Sequence, residues 1–208
     1  MDELKQVDNT SATIPRHKMK RAVDDDFGTP DRIYYPLCKR HDIVCDLDVF
    51  AGEYEVNGVL KSNSKCLDYY TIKDNALEKD WLLPNEKKPT GIWWNDPHSL
   101  HKETLEKSLE QWLKHDLDIL GILPGNTVRP PFFYENVIKY LHKGIEIEPV
   151  IDWDNPEDNG GYINFEKNGK PTEFISVNGY LAIRYFSKDS WTRFIKKRIG
   201  EMKTYGNV

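Results

Sequence analysis

The chain places an amide, a carboxylate and an imidazole almost side by side, at Asn95, Asp96 and His98, with Pro97 before the histidine. They follow directly on Ile92-Trp93-Trp94. An apolar, aromatic run ending in Asn-Asp-Pro reads as a buried strand that stops at a sharp turn. Asn and Asp tolerate tight backbones, while Pro fixes φ and removes a ladder donor. A helical pattern resumes after Ser99. Open α/β sheets build their sites at strand ends of this kind. Two further acids, Asp46 and Asp48, stand near the end of a second apolar run, Ile43 to Gly52. His101, His115 and His142 are isolated in the sequence and predict no metal site. The cysteines, Cys38, Cys45 and Cys66, are odd in number and lack Cys-x-x-Cys spacing. That argues against a disulfide scaffold or a zinc site and for a reducing compartment.

The elements that must position these residues can be read from periodicity. Thr29-Pro30 reads as an N-capping residue and a first-turn proline, leading into a short helix over Arg32 to Cys38. Residues 43–52 read as a buried strand, 53–62 as a polar loop or insertion, and Lys65 to Thr71 as a short edge segment. Leu105, Leu109, Trp112 and Leu113 recur at helical spacing and mark an amphipathic helix. Leu117 to Pro124 is a near-continuous apolar strand, as expected in a sheet covered on both faces. A helix over Phe132 to His142 and an alternating strand over Ile145 to Ile151 follow. Gly161 to Phe165 and Gly179 to Phe186 bracket an Asn168-Gly169 turn and predict an antiparallel hairpin that finishes the sheet. Trp191, Phe194, Ile195 and Ile199 give a last helix its apolar face. Strands alternating with helices predict an α/β sheet.

The 208 residues suit one domain over 24–208, preceded by a weakly ordered polar arm over 1–23. That arm carries a basic run, Arg16 to Arg21, which reads as a solvated tail or as a contact to a phosphate backbone. A net charge of −5 argues against broad adhesion to nucleic acid while leaving room for a local basic groove. No run approaches the ~20 apolar residues of a membrane span, and the polar start Met1-Asp2-Glu3-Leu4-Lys5 predicts no signal peptide.

Taken in order, the segments resemble the bacteriophage-type DNA N6-adenine methyltransferases. Thr29-Pro30 precedes the first strand, and Asp46-Leu47-Asp48-Val49-Phe50-Ala51 matches its end. Asn63-Ser64-Lys65-Cys66, Tyr69-Tyr70-Thr71, Asp74-Asn75-Ala76-Leu77 and Asp80-Trp81 follow in the family's order. Trp93-Trp94-Asn95-Asp96-Pro97-His98-Ser99 resembles the catalytic segment Trp-x-Asn-Pro-Pro-Tyr-Ser, and Ile122-Leu123-Pro124 and Gly161-Tyr162-Ile163-Asn164-Phe165 match later pieces. Two positions depart from the family: Asp96 replaces a proline and His98 an aromatic.

The resemblance implies a Rossmann-like methyltransferase fold, mostly parallel with a C-terminal antiparallel hairpin. It implies S-adenosylmethionine as methyl donor and double-stranded DNA as partner, with the target base flipped from the helix. It also implies a phage- or virus-encoded protein acting in the host cytoplasm. The amino nitrogen of adenine is a poor nucleophile, because its lone pair is delocalised into the ring. Two acceptors at its hydrogens draw it towards tetrahedral geometry. By resemblance these are the Asn95 side chain and the Asp96 carbonyl, with Pro97 completing the loop and His98 stacking on the base. Asp46 and Asp48 would meet the methionine amino group or the ribose of the donor, or are ordinary strand-end acids. Phe50 and Ala51 belong to the same strand end. Asp74 would accept from the donor's adenine amino group, with Ala76 and Leu77 along the ring; otherwise it is a helix N-cap. Thr29 and Pro30 lie against the donor or simply open a helix. Trp93, Trp94, Trp112, Trp191 and Phe194 are expected in the core.

Two other readings stay open: a catalytically inactive descendant that binds or scaffolds, and an amino-methyltransferase acting on cytosine, RNA or protein glutamine. Loops 53–62, 126–131 and 152–161 are the expected places for DNA sequence recognition.

Overall fold

The computed structural model describes residues 27–151, 163–175 and 179–205. The basic run at 16–21, the acidic loop expected over 152–161, and Gly161 and Tyr162 lie outside them. The architecture is mixed α/β. A six-stranded sheet runs in the order β4 (Asp68–Tyr69), β1 (Leu47–Asp48), β5 (Ile92–Asn95), β6 (Ile119–Pro124), β10 (Tyr180–Tyr185) and β7 (Ile145–Pro149). The first four strands are mutually parallel, and β10 runs against both neighbours. This sheet is compatible with a Rossmann-like arrangement.

Alternation along β5 divides the core into two layers. Trp94 and Ile92 join Leu105 and Trp112 of α2 (His101–His115) and Phe133 of α3 (Pro131–Asn136). Trp93 faces the other way, onto Ile33, Tyr34 and Leu37 of α1 (Asp31–Arg40). Both indoles are almost fully buried, as expected from the sequence. Trp94 fits only because its cross-strand neighbour is Gly121: a Cβ there would lie 2.0 Å from the indole. All of β6 is buried, which is why its sequence is continuously apolar.

Some expectations need correction. The first strand, expected over 43–52, is paired as a strand over only Leu47 and Asp48. Residues 53–62 form a hairpin, β2 (Glu53–Val56) and β3 (Val59–Ser62), rather than a loop. Asn57 and Gly58 both take positive φ (53° and 76°), the backbone of the tight turn that Asn-Gly favours. The later hairpin, β8 (Asn164–Lys167) with β9 (Lys170–Ile175), turns at Asn168-Gly169 as expected. It forms a sheet of its own, however, and only β10 enters the main sheet. The helix expected over 132–142 breaks at Val137 (φ −130°, ψ −65°) into α3 and a 3₁₀ stretch, Ile138–Lys143. Leu113, expected on the buried face of α2, is 60% exposed. In α4 (Lys188–Tyr205), Trp191 and Phe194 pack on Phe186 but stay half-buried, and Ile195 and Ile199 are exposed. Among the described residues no helix is long and apolar enough to cross a membrane.

Candidate active site

The carboxyl ends of β4, β1, β5 and β6, and the start of the reversed β10, meet at one edge of the sheet. Three connected hollows open there, and Asn95 at the end of β5 lines all three.

The largest is a cavity of about 340 Å³, within the range of sites that enclose a small molecule. Val49, Phe50 and Ala51 from the end of β1 form one side, and Ile72, Asn75, Ala76 and Leu77 from the loop after β4 another. That loop is pinned to α2. Trp81, fully buried, donates its backbone N–H to Gln111 Oε1 (2.7 Å) and its indole N–H to the Ala76 carbonyl (2.9 Å). Gln111 in turn donates to Asp80 (3.0 Å). Asn63 reaches the cavity because it closes the base of the β2–β3 hairpin. Its Oδ1 accepts from Gly52 N–H (2.7 Å), and its own N–H donates to the Gly52 carbonyl (3.0 Å). Side chains at Gly28 or Gly52 would press on Asn63, at 3.2 Å and 3.0 Å.

The second hollow is a narrow polar groove lined by Gly28, Thr29, Asp48, Asn63, Lys65 and Asn95. The Thr29 hydroxyl is buried and has no hydrogen-bond partner among the described residues. Burial pushes the Asp48 carboxyl up to about 6; the Phe50 N–H, the Ser64 hydroxyl and the Lys65 backbone pull the other way. A buried carboxyl held so far above its ordinary value is a site that a cationic group would satisfy.

The third is a cleft of about 20 Å³ walled by Phe27, Asn95, Asp96, His98, His101, Ile122, Pro124, Phe165 and Tyr180. Its aromatic walls brace one another: Phe165 meets Tyr180 edge-on at 5.0 Å, and His98 meets His101 at 5.3 Å. Asn95 donates its amide N–H to the Phe27 carbonyl (3.0 Å), so the acceptor oxygen is what it offers to the hollows. Residues 27–28 are held for this purpose by paired backbone bonds between Gly28 and Glu166 (2.8 and 2.9 Å). The Asp96 side chain is fully buried and lies 3.0 and 3.1 Å from His101 Nδ1. Pro97 turns the chain into α2, its carbonyl accepting from Leu100 N–H (2.9 Å).

The fold therefore gathers Thr29, Asp48, Phe50, Ala51, Ala76, Leu77, Asn95, Asp96, Pro97 and His98, all expected from sequence, around one edge of the sheet. It does not bring in three others. Asp46 sits at the opposite end of β1, accepting from Thr90 N–H (2.9 Å) and Gly91 N–H (3.3 Å). Asp74 closes its own turn on Thr71 N–H (2.9 Å) and pairs with Lys79 (3.1 Å). Those contacts, the Thr71 N–H foremost, hold its carboxyl below the usual range. Pro30 opens α1 by accepting from Ile33 and Tyr34 N–H (both 3.0 Å). Phe27, Asn63, Lys65, Ile72, Asn75, His101 and Tyr180 line the hollows without having been singled out. Asn75, which takes a positive φ of 52°, directly follows Asp74 in the turn. His101 looked like one of three isolated histidines. Among the described residues no cluster of His, Cys, Asp or Glu could hold a metal ion.

No curated protein and no solved structure matches the chain. A family model described as DNA N-6-adenine-methyltransferase (Dam) does, over residues 16–142. That span runs from before α1 into the 3₁₀ stretch and includes the ends of β1, β4, β5 and β6 that build the three hollows. With more than half of its length and most of its site inside the match, the chain belongs to the DNA N-6-adenine-methyltransferase (Dam) family.

Proposed function

We propose that this protein transfers a methyl group from S-adenosylmethionine to the 6-amino group of adenine in double-stranded DNA, on a base flipped out of the helix. The observation that carries the reading is the position of Asn95. It is the shared wall between a cavity fit for a small molecule and an aromatic cleft. A residue there can hold an amino group against a donor on the other side.

The residues present fit the donor. Ile72, Ala76 and Leu77 offer apolar surface for its adenine ring. Asp48 offers a buried anion for its amino group; the neighbouring Lys65 is already paired with Asp31 (2.6 Å) and Glu166 (3.7 Å). When bound, S-adenosylmethionine supplies an electrophilic sulfonium methyl. Asn95 Oδ1 and the Asp96 carbonyl accept the two amino hydrogens of the target and so localise its lone pair. Phe165, Tyr180 and His98 supply ring faces for the base. The cleft is far smaller than sites that hold a whole ligand, so its walls part as the base enters. The sheet order, with β10 reversed between β6 and β7, supports a Rossmann-like methyltransferase fold.

The test is tritiated methyl transfer onto DNA, with mass spectrometry of the hydrolysed nucleosides. N6-methyladenine is expected, and Asn95→Ala lowers the rate by about 10²–10³, the usual cost of removing one such polar contact. Label on cytosine or RNA, or on glutamine of a co-incubated protein, would replace the acceptor named here. Protein that binds no S-adenosylmethionine by calorimetry would end the reading altogether.

A further inference from the structure

We propose that Asp96 and His101 form a carboxylate–imidazole pair that receives the proton shed by the target amino group as it is methylated. The inference rests on the methyl-transfer reading above.

A nitrogen that keeps both hydrogens while gaining a methyl carries a positive charge and one proton too many. The lone pair forms the N–C bond, the C–S bond breaks, and its electron pair stays on sulfur. The surplus proton must then go to a base beside the cleft. Amide and carbonyl oxygens, which position the amino group, are too weakly basic to keep it.

The cleft holds few groups that can. Among the described residues its titratable lining is Asp96, His98, His101 and Tyr180. Tyr180 comes from β10, packed across from the loop; Asp48 and Lys65 lie in the adjoining groove behind Asn95. On α2 itself, Lys102 is engaged with Glu106, and Glu103 is exposed. His98 is exposed to solvent. His101 has a fixed orientation. The Asp96 carboxylate, 0% exposed, faces Nδ1 at 3.0 Å, so Nδ1 carries the hydrogen and the lone pair of the neutral ring is on Nε2. An imidazolium formed there is at once paired with a buried anion. The anion itself precedes the N-terminus of α2, the end of a helix that favours negative charge. His101 is thus the catalytic residue of the pair and Asp96 its positioning residue.

Single-turnover methylation of mixed-sequence duplex DNA, with the enzyme in excess, tests this from about pH 5.5 to about 8.5. In the unaltered protein the rate falls on the acid side. His101→Gln is expected to slow it by about 10²–10⁴ and to abolish the acid limb. Asp96→Asn is expected to slow it less and to move the limb without abolishing it. S-adenosylhomocysteine binding by calorimetry is expected to be unchanged in both variants, because neither residue lines the larger cavity, and it reports that each variant is folded. A folded His101→Gln protein with the unaltered rate and pH profile overturns the proposal while leaving methyl transfer intact. If His101→Gln does not bind, an unchanged rate and limb in Asp96→Asn has the same force. An unaltered protein that transfers no methyl removes both this inference and the reading beneath it.

Discussion

The two ends of the central sheet each hold carboxylates largely away from solvent, and they treat them differently. At the amino end, Asp118 precedes β6 and is saturated. It accepts from the Arg184 guanidinium, from Ser187 Oγ (2.7 Å) and N–H (3.3 Å), and from Ser190 Oγ (2.8 Å). Arg184, 1% exposed, also donates to the Ile119 and Tyr185 carbonyls (3.3 and 2.6 Å). These bonds tie β6, β10 and α4 together. Burial alone would raise the Asp118 carboxyl, but Arg184 and the two serines outweigh it and hold it below the usual range. At the carboxyl end, the side chain of Asp96 meets one imidazole among the described residues, and Asp48 is pushed up to about 6 with a groove beside it. A buried carboxylate with every lone pair engaged is part of the frame. One held by a protonatable ring, or strained by burial, is poised to bind or to exchange a proton.

Substitutions at the two ends should separate these roles. Arg184→Met leaves the part-buried Asp118 without its cation and should cost about 3 kcal/mol in urea unfolding; a loss under ~1 kcal/mol would show that the amino end is not the anchor. Asp48→Asn should act in the opposite direction. Its carboxyl holds its proton more tightly when folded (about 6, against an ordinary 3.8), so it favours the folded state at low pH and disfavours it as pH rises through about 6. Removing the charge should therefore raise stability at pH 7 by up to about 3 kcal/mol, with the gain vanishing below about pH 4 in thermal melts across pH. The same variant should bind S-adenosylmethionine more weakly, and unchanged affinity would take Asp48 out of the donor site. For Asp118 the sign reverses: its stabilisation is present above the ordinary carboxylate range and lost as pH falls. Asp96→Asn should give the smallest change in stability, below about 1 kcal/mol, because Asn still accepts from His101. A large loss there would make Asp96 a frame residue like Asp118.

Much of this site was legible because short-range rules place it. Trp93-Trp94-Asn95-Asp96-Pro97 states a strand, its two buried faces and its stop within a few residues. The same rule was decisive at Asn168-Gly169 and went unread at Asn57-Gly58, where charged neighbours masked a hairpin. Asp46 and Asp74 show the limit. Each has the right residue type beside the right segment, yet the register of β1 against β5 turns one to the far end of the strand, and a local turn consumes the other.

The sequence by itself determined the alternation of strands and helices, the family, and the turn at Asn95 that ends β5. These follow from neighbours along the chain: apolar period, turn chemistry and motif order. Tertiary structure alone decided which acids are saturated by partners and which face the hollows. A carboxylate's role depends on what faces it in space. Arg184 meets Asp118 from 66 residues away, Asn63 reaches the cavity through the closure of a hairpin, and His101 becomes Asp96's partner when α2 begins one turn beyond the loop.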